Sequence, residues 1–445
     1  MSRVKLLAVI FCVLLAGCGG LNDPLSNAEM SSATSKPEDA APFLPTQTAV
    51  LAATPELTVP TPSPTPEPTP TPGPVEVNIM AVGDLMFQYH AIKTAYDKET
   101  KTYDFKNSFE YVKDIISSAD IAAGNFESTF GGPEYAQRQE LRFSVPDEAA
   151  DALKYAGFDV LSTVNNHAYD KGSAGVLRTL QVLKERGLTT VGTRGSQEEK
   201  PYAIVEAKGI KIGFTAYTFG GRTSKGGVTI HGYRVGNDVI DLMNVYADKT
   251  VDEDIAQMGE IIRRMREDGA EIVAFYIHWG TEYKRSPNAI QKKIAQRLAD
   301  AGADVIFGSH PHWMQPLDVL TGKNGNKTVV MYSLGNFISN QRDEFEPYFT
   351  YSEDCMILNV KVTKQPGGAA EITSVEYLPT WTYMFTVKGL RHYTVVPLEK
   401  AIASPADFGM NTGRDVRDAK KSLNHTLELM AKAEEKGYVT MMKLD

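Results

Sequence analysis

The sequence from Val75 onward predicts an α/β fold, and three observations support this prediction. Strand-like runs alternate with helix-like runs, which is typical of largely parallel sheets covered by helices. The segments YAGFDV, DGAEIV and AGADVIF each join a helix to a strand through glycine, the residue favoured just after a helix. After residue 338 strands follow one another with few helices between them, which predicts a second, largely antiparallel sheet.

The individual elements follow from the spacing of apolar residues. Strands are predicted where apolar residues alternate or form short runs, and helices where they recur every three to four positions. Pro146 before one helix and Gly157 after it mark its two ends. In chain order the predicted elements are strand 75–82, helix 108–119, strand 120–125, helix 146–157, strand 158–164, helix 173–186, strand 208–219, helix 252–270, strand 271–277, helix 288–302, strands 303–308, 328–338, 355–363, 370–379, 381–387 and 393–398, and a mostly helical segment 406–437.

The N-terminus has the features of a bacterial lipoprotein signal. Arg3 and Lys5 precede an apolar run at 6–16 that is too short to span a membrane. The tetrapeptide LAGC at 15–18 resembles a lipobox, in which cleavage falls before the cysteine and Cys18 becomes a diacylated N-terminus. The alternative is a secretory signal with an incidental cysteine. We expect a signal peptide over 1–17 and a chain that is lipid-anchored at the extracytoplasmic face of the cell membrane.

A spacer separates this anchor from the folded region. Proline occupies nearly every second position of 54–74, so this stretch favours polyproline II and reaches about 3.1 Å per residue. We therefore expect a disordered Pro/Thr-rich stalk over 18–74, a main domain over 75–400 and a mostly helical C-terminal segment over 401–445. With Cys12 in the signal and Cys18 lipidated, only Cys355 would remain, which excludes an intramolecular disulfide.

The charge of the chain excludes one class of partner. The formal net charge is −9, and no basic cluster is present that would follow a phosphate backbone, so we expect no nucleic-acid partner. The net negative charge would also repel an acidic polymer on average, although a local binding site can overcome this repulsion.

Unusual polar residues recur where predicted strands end, which is where open α/β sheets bind ligands. Four of the eight histidines stand at such points. The segments concerned are Asp84 in AVGDLMF, Asn125 and Glu127 in AAGNFES, Asn165, Asn166, His167 and Asp170 in STVNNHAYDKG, His278 in YIHWG, and His310 and His312 in FGSHPHW.

Each segment also has a structural interpretation. Gly-Asp is a common turn pair, the Asn pair suits a helix N-cap, and His278 suits a buried position beside Trp279. Together, however, carboxylates, amide oxygens and imidazoles form a mixed ligand set that suits Mn²⁺, Fe or Zn²⁺, and the lack of clustered cysteines excludes a thiolate zinc site. A pair of such ions would activate water, and a histidine beside an Asn ligand could protonate a leaving group.

The ordered motifs GD, GNFE, NNHxxD, HWG, GSHPH and LGNF resemble the CapA/PgsA family of capsule and poly-γ-glutamate biosynthesis proteins. The motifs that carry the resemblance lie between about Val77 and about Phe337. It implies a calcineurin-like metallophosphoesterase fold, in which a two-sheet β-sandwich core is flanked by helices, here with a helical C-terminal segment. The main domain over 75–400 would have this fold.

The resemblance also implies the roles of individual residues. His167 would be the catalytic acid, and Asp170 would orient it or shape the turn. Asn125 and Glu127 are alternatives for the bridging ligand, and Asn336 would line the rim of the site. The residues implied to bind one or two divalent metal ions are Asp84, Asn125, Glu127, Asn166, His278, His310 and His312.

One position departs from the wider superfamily. Metallophosphoesterases usually have His two positions after the first Asp, where this chain has Met86. The change removes a ligand, so a single tightly held ion is an alternative to a pair.

Two functional hypotheses follow. In the first, the protein is a metal-dependent hydrolase, acting on a phosphoester or a γ-glutamyl bond during capsule or poly-γ-glutamate synthesis, export or surface retention. In the second, it is a non-catalytic accessory that binds a membrane-embedded polymer synthase complex or the anionic polymer and keeps a degenerate metal site as a scaffold.

Overall fold

The computed structural model describes residues 73–135, 142–224 and 226–444. The predicted signal peptide, the Cys18 anchor and nearly all of the stalk lie outside these ranges. Within them, no helix is both long enough and apolar enough to cross a bilayer.

The strands, in chain order, are β1 (Val75–Leu85), β2 (Tyr96–Asp97), β3 (Thr102–Tyr103), β4 (Ile121–Phe126), β5 (Val160–Ser162), β6 (Thr189–Val191), β7 (Ala203–Ala207), β8 (Ile210–Phe219), β9 (Gly221–Arg222), β10 (Val228–Ile230), β11 (Tyr233–Arg234), β12 (Val245–Tyr246), β13 (Ile272–His278), β14 (Val305–Ser309), β15 (Gln315–Thr321), β16 (Lys327–Ser333), β17 (Asn336–Ile338), β18 (Asp354–Lys364), β19 (Ala370–Val387), β20 (Leu390–Pro397) and β21 (Thr440–Met441).

The α-helices are α1 (Tyr89–Ala95), α2 (Lys113–Ile116), α3 (Glu148–Ala156), α4 (Gly172–Glu185), α5 (Val251–Glu267), α6 (Ala289–Ala301), α7 (Leu398–Ala403) and α8 (Gly413–Glu435). Short 3₁₀ turns occupy Lys106–Ser108, Pro133–Tyr135, Ile240–Leu242, Asp248–Thr250, Pro347–Phe349 and Pro405–Phe408.

Two large sheets form the centre of the fold. The first has the order β20-β19-β18-β1-β4-β5-β6, with β17 on β1 and β21 on β19. The second has the order β12-β8-β13-β14-β16-β15, with β7 on β8. The predicted α/β fold with a two-sheet core, flanking helices and a helical C-terminal segment is confirmed.

Alternation along the strands explains why the sheets stack. In β1, Val77, Ile79 and Ala81 pack into the core between the sheets, whereas Met80 and Val82 pack on the opposite face, towards α3. In β13 the same alternation sends Ala274 and Tyr276 inward, and Phe275 and Ile277 outward against α5 and α6. Successive side chains of a strand point to opposite faces, so strands that are buried on both faces must be apolar throughout.

The predicted separate antiparallel sheet at the C-terminus is wrong. Strands β18, β19 and β20 are antiparallel as expected, but β18 pairs with the free edge of β1 and so extends the first sheet. A strand pattern specifies which residues are apolar on each face, but the hydrogen-bonding partner is set by tertiary packing.

Several element boundaries also differ from the prediction, and the strand predicted over 328–338 is divided into β16 and β17. The predicted helix at 108–119 is only one turn, Lys113–Ile116, with a 3₁₀ turn before it. The predicted strands 370–379 and 381–387 form one continuous strand of 18 residues. Phe109, Val112 and Ile116 are fully buried, so their apolar spacing reflects packing beneath the sheet and not a regular helix.

Candidate functional site

Polar side chains from both sheets meet where parallel strands end. Within the first sheet, Asp84 of β1 is in register with Asn125 of β4 and with Asn336 of β17. Within the second sheet, His278 of β13 is in register with Ser309 of β14. The two sheets therefore place at one end of the sandwich most of the residues that the sequence analysis selected.

Gly83 permits the close packing at this end. The Asp84 amide donates a 2.9 Å hydrogen bond to the carbonyl oxygen of Gly335. A Cβ atom on Gly83 would lie only 1.8 Å from that oxygen. Glycine is thus required for β1 to pass β17 and present the Asp84 carboxylate.

A buried acidic group lies at the centre of the site. Asp84, Glu127 and His278 are essentially inaccessible to solvent and offer ligand atoms within 4.8 Å of one another. Asn125 Nδ2 donates to Asp84 Oδ1 at 2.9 Å, so the Asn125 amide presents its donor, and not its oxygen, to Asp84. The other oxygens, Asp84 Oδ2 and Glu127 Oε1, are buried without a hydrogen-bond partner.

This arrangement is electrostatically unfavourable for the protein alone. Burial and the neighbouring Asp84 carboxylate raise the pKa of Glu127 well above its ordinary value. Two buried carboxylates with unpartnered oxygens, next to imidazole nitrogens, form a donor set that a divalent cation would satisfy.

Asn166 connects the acidic group to the turn that follows β5. Asn166 Oδ1 lies 2.9 Å from His278 Nε2, so two potential ligand atoms adjoin each other. His278 Nδ1 lies 2.9 Å from Ser309 Oγ, which fixes the plane of the ring. Asn165 has a different task, since its side chain donates to the Phe126 carbonyl and accepts from the His167 amide.

The alternative that these asparagines cap the following helix is wrong. Helix α4 begins at Gly172, and its N-cap position is Lys171 with no side-chain cap. Asn165 instead stabilises the turn, which leaves Asn166 directed to the site.

His167 and Asp170 form a buried pair. His167 Nδ1 lies 2.7 Å from Asp170 Oδ2, and the Phe143 ring stacks on the imidazole at a centroid distance of 3.9 Å. Burial lowers the pKa of His167, while contact with Asp170 opposes this shift. Asp170 also accepts a hydrogen bond from the Phe143 amide, so it shapes the turn as well as contacting the histidine.

The segment His310-Pro311-His312 adopts an unusual backbone. His310 has φ of 93° and His312 has φ of 57°, a backbone region that residues other than glycine rarely occupy. The His312 Nδ1 atom lies 3.3 Å from Asp84 Oδ2 and 2.9 Å from Asn336 Oδ1. The His310 ring lies 4.7 Å from that of His278, and its Nδ1 atom is buried without a partner.

The buried histidines differ in charge preference. Burial, followed by the neighbouring histidines, lowers the pKa of both His278 and His310 well below the ordinary value. Burial alone would do the same to His312, but Asp84 and Asn336 outweigh it and raise its pKa. Neutral imidazoles are the form in which histidine binds metal ions.

Two residues near the site were not selected from the sequence. Glu282 follows the HWG motif and offers an oxygen within 4.8 Å of ligand atoms of His310 and His312. His231 is exposed, lies outside the strand-end motifs, and its ring is 4.8 Å from that of His167. The TEY sequence after HWG was the only available signal for Glu282, and an isolated histidine in a loop gave none for His231.

All nine predicted site residues in the described ranges lie in this one region, and the residues in those ranges include three groups of His, Asp and Glu side chains that could hold a metal ion. Cys18 lies outside those ranges.

Comparison with known protein families finds a match that covers the residues of this site. The sequence pattern of the family described as bacterial capsule synthesis protein PGA_cap matches residues 78–341. The chain belongs to this family. The matched region contains every motif of the site from Asp84 to Asn336.

Relatives within the PGA_cap family support the assignment. The chain is 30% identical over 300 residues to PGA biosynthesis protein CapA of Bacillus subtilis, covering 66% of this chain and 70% of that protein. It is 29% identical over 278 residues to capsule biosynthesis protein CapA of Bacillus anthracis, covering 60% of each. A probable polyglutamine synthesis accessory protein of Mycobacterium tuberculosis is 22% identical over 271 residues, 59% of this chain and 66% of that protein.

Solved structures show distant likenesses. Haemophilus influenzae NAD nucleotidase aligns over 84% of this chain and 65% of its own at 16% identity, with a TM-score of 0.42. A purple acid phosphatase from yellow lupin aligns over 73% of this chain and 54% of its own at 9% identity, with a TM-score of 0.32. At these scores the likenesses assign no activity to this chain.

Proposed function

We propose that this PGA_cap-family protein is a metal-dependent hydrolase that acts in capsule or poly-γ-glutamate synthesis, export or surface retention. One observation carries the proposal: Asp84 Oδ2 and Glu127 Oε1 are fully buried and make no hydrogen bond, while imidazole nitrogens lie beside them, His312 Nδ1 at 3.3 Å and His278 Nε2 at 3.7 Å. Burying two carboxylate oxygens without hydrogen bonds is costly, and a bound cation is the simplest compensation. The names of the relatives support the biological context.

The residues that would hold the ion follow from the contacts. Asp84, Glu127 and His278 form the acidic part, and Asn166 adjoins His278 from the opposite sheet. Glu127 is the better candidate for a bridging ligand, because the Asn125 amide donates to Asp84. Carboxylate oxygens with imidazole nitrogens suit Mn²⁺, Fe or Zn²⁺. When bound, such an ion supplies Lewis-acid activation of water and of the oxygen of a scissile bond.

His167 would complete the hydrolysis as the proton donor. Asp170 engages Nδ1 and Phe143 stacks on the ring, so the orientation of Nε2 is fixed. In the imidazolium form, which the contact with Asp170 favours, the proton at Nε2 would pass to the leaving oxygen or nitrogen as the bond breaks, and the neutral ring would keep its Nδ1 proton towards Asp170. Asp170 would then stabilise the orientation of the ring and not itself transfer a proton.

The cellular location is part of the proposal. The LAGC tetrapeptide at 15–18 supports lipidation at Cys18, with the stalk holding the domain outside the cell membrane beside a polymer synthase complex. Cys18→Ser should move the protein from the membrane fraction to the soluble fraction. Retention of this variant in the membrane fraction would argue against the anchor.

One observation favours a second candidate, a non-catalytic accessory. Met86, at the position where metallophosphoesterases usually have a ligand histidine, is buried and apolar. In this version the metal site is structural, and the protein assists a synthase without breaking a bond.

The two candidates are separated by one substitution. His167→Gln should abolish hydrolysis of phosphoester and γ-glutamyl substrates by the Mn²⁺-loaded protein and reduce polymer production in cells, with metal content unchanged. His392→Gln serves as a matched control, since His392 lies on β20 beside Phe385 and outside the site. Normal polymer production by His167→Gln would reject the catalytic proposal and favour the accessory role.

A further inference from the structure

A groove runs along β15, the edge strand of the second sheet, between helices α6 and α8. Its volume is about 940 Å³, and its lining includes none of the predicted metal-ligand or catalytic residues. The floor of the groove is apolar and includes Pro316 and Leu320 of β15 and Leu429 of α8. The proposed hydrolysis makes no use of this groove.

The groove is basic although the chain is acidic. Its lining contains four cationic and two acidic side chains, a formal charge of +2, whereas the whole chain has −9. A local excess of positive charge in a concave surface attracts anions that the rest of the protein repels. The cationic residues are Arg285, Lys292, Lys432 and Lys436, and the acidic residues are Asp318 and Glu428.

Two of these lysines lack an ionic partner within the described part of the chain. Lys436 Nζ lies 3.3 Å from Asp318 Oδ1, so these two charges compensate each other. Lys292 and Lys432 are exposed, and neither ammonium group contacts a carboxylate of the described residues. Lys432 and Lys436 are four residues apart at the end of α8, so two like charges are neighbours on the helix surface. An anion in the groove would relieve this repulsion.

Lys292 stands where a helix disfavours a positive charge. Helix α6 begins at Ala289, so Lys292 lies in its first turn, near the positive end of the helix dipole. The dipole of α8 favours Lys432, which lies in the last turn of that helix, but the dipole of α6 gives no such support to Lys292. An anion bound in the groove would explain a cation at this position.

Arg285 is held in place by contacts that leave donors for a ligand. Its guanidinium lies 4.4 Å from the centroid of the Tyr351 ring, and Nη2 donates to the His425 carbonyl at 2.8 Å. A guanidinium has five N–H donors, so most of them are not engaged by the described residues. Such a group can bind a carboxylate through two parallel hydrogen bonds.

The groove adjoins the site around Asp84 through the turn after β13. The Tyr283 ring lies 5.7 Å from that of His312, and the Tyr283 amide donates to the Pro311 carbonyl at 2.8 Å. Arg285, which lines the groove, is two residues further along the chain, a span of at most about 7 Å. A long ligand in the groove would therefore have a short path to the histidines of that site.

We propose that this groove binds a polymer that carries a carboxylate on each repeat, such as poly-γ-glutamate. Arg285, Lys292 and Lys432 pair with carboxylates of the polymer, and its methylene groups pack on the apolar floor. Charge complementarity and the combination of cationic walls with an apolar floor together favour this class of ligand. The inference rests on the proposed function, because it takes from it that the protein acts in the synthesis, export or retention of such a polymer.

A binding measurement on the metal-free full chain tests this inference, since removing metal prevents polymer carboxylates from binding to ions near Asp84. The parent chain, the groove variant Lys292→Gln/Lys432→Gln and the control Lys184→Gln/Lys211→Gln would be titrated into fluorescently labelled poly-γ-glutamate at low salt, with anisotropy as the signal. Lys184 and Lys211 are exposed and lie outside the groove, so both double variants lose the same charge.

We expect the groove variant to bind the polymer about tenfold more weakly than the parent chain, and the control to bind it as the parent does. Added salt should weaken binding by the parent chain, because the lysines are exposed. All four substituted lysines are exposed, so both variants should unfold at the same temperature as the parent, which checks that they are folded.

The other outcomes are separable. Equal affinities of the two double variants would overturn the proposal, because net charge alone would then explain binding. Loss of polymer production in cells by the groove variant, with undiminished affinity for the polymer, would assign the groove to a protein partner and also overturn it.

The groove and the proposed hydrolysis can fail independently. Absence of polymer binding by the parent chain would overturn the groove, while metal content and hydrolysis would still support the proposed function. A parent chain that binds the polymer through Lys292 and Lys432, but neither holds metal nor hydrolyses a substrate, would support the groove and reject the hydrolase.

Discussion

His167 Nδ1 and Asp170 Oδ2 lie 2.7 Å apart in a pair of buried side chains. The same Asp170 oxygen accepts from the Phe143 amide, and the Phe143 ring covers the imidazole. The histidine is therefore held by Asp170 and by the Phe143 ring, which come from two separate segments that are joined by the Phe143–Asp170 hydrogen bond, and this is how a proton donor is oriented in advance of its substrate.

This pair predicts a graded loss of activity. His167→Gln should lower kcat by about 10²–10⁴-fold, the usual contribution of a general acid, without changing the amount of bound metal. Asp170→Asn should lower kcat less, since the ring remains present but is held less firmly. Steady-state kinetics with parallel metal analysis measures both. Equal metal loss in both variants would instead assign the pair to metal binding.

Replacing Glu127 should reduce the gain in stability that the protein obtains from bound metal. Mn²⁺ at about 100 times its dissociation constant should raise the free energy of unfolding of the parent chain by about 2.7 kcal/mol. Glu127→Gln should lose most of this gain, because it removes an anionic ligand. Glu371→Gln, on an exposed position of β19, should keep the gain. Denaturant titrations with and without Mn²⁺ provide the measurement, and an undiminished gain in Glu127→Gln would exclude this residue as a ligand.

Replacing Gly83 with alanine should cause a severe packing defect. In Gly83→Ala the new Cβ would meet the Gly335 carbonyl oxygen, which belongs to the backbone and cannot rotate away. The expected cost is about 3 kcal/mol or more in the free energy of unfolding. Gly413→Ala is the control, because a Cβ there meets nothing within 4 Å. A stability change in Gly83→Ala no larger than in the control would contradict the observed packing of β1 against β17.

Glu353 predicts a pH dependence of stability away from the metal site. Burial raises its pKa from 4.5 to about 7, although Arg342 at 2.8 Å acts in the opposite direction. The folded state then binds the proton more tightly than the unfolded state, so this group makes the protein less stable as pH rises from about 4.5 to about 7. The loss should total about 3 kcal/mol.

Glu353→Gln resembles the protonated side chain and should remove this slope. The measurement is the difference in free energy of unfolding between the parent chain and the variant at several pH values. A difference that stays constant between pH 4.5 and pH 8 would show that Glu353 titrates normally.

The sequence predicted which polar residues cluster together better than it predicted the sheet connections. Asp84, Asn166 and His278 could be selected because each lies at or shortly after the end of a strand, and parallel strands present these ends at one edge. The pairing of β18 with β1 could not be predicted, since the apolar pattern distinguishes the two faces of a strand and not its two hydrogen-bonding edges. Glu282 was missed because its place beside His310 depends on the hydrogen bond from the Tyr283 amide to the Pro311 carbonyl. This bond joins two segments that are separated in the chain.

The central claim is that Asp84, Glu127 and His278 hold a divalent cation, and an anomalous difference map from crystals grown with Mn²⁺ tests it most directly. The account predicts a strong peak within coordination distance of Asp84 Oδ2, Glu127 Oε1 and a His278 ring nitrogen. A map with no peak at these three side chains, from crystals saturated with Mn²⁺, would contradict it.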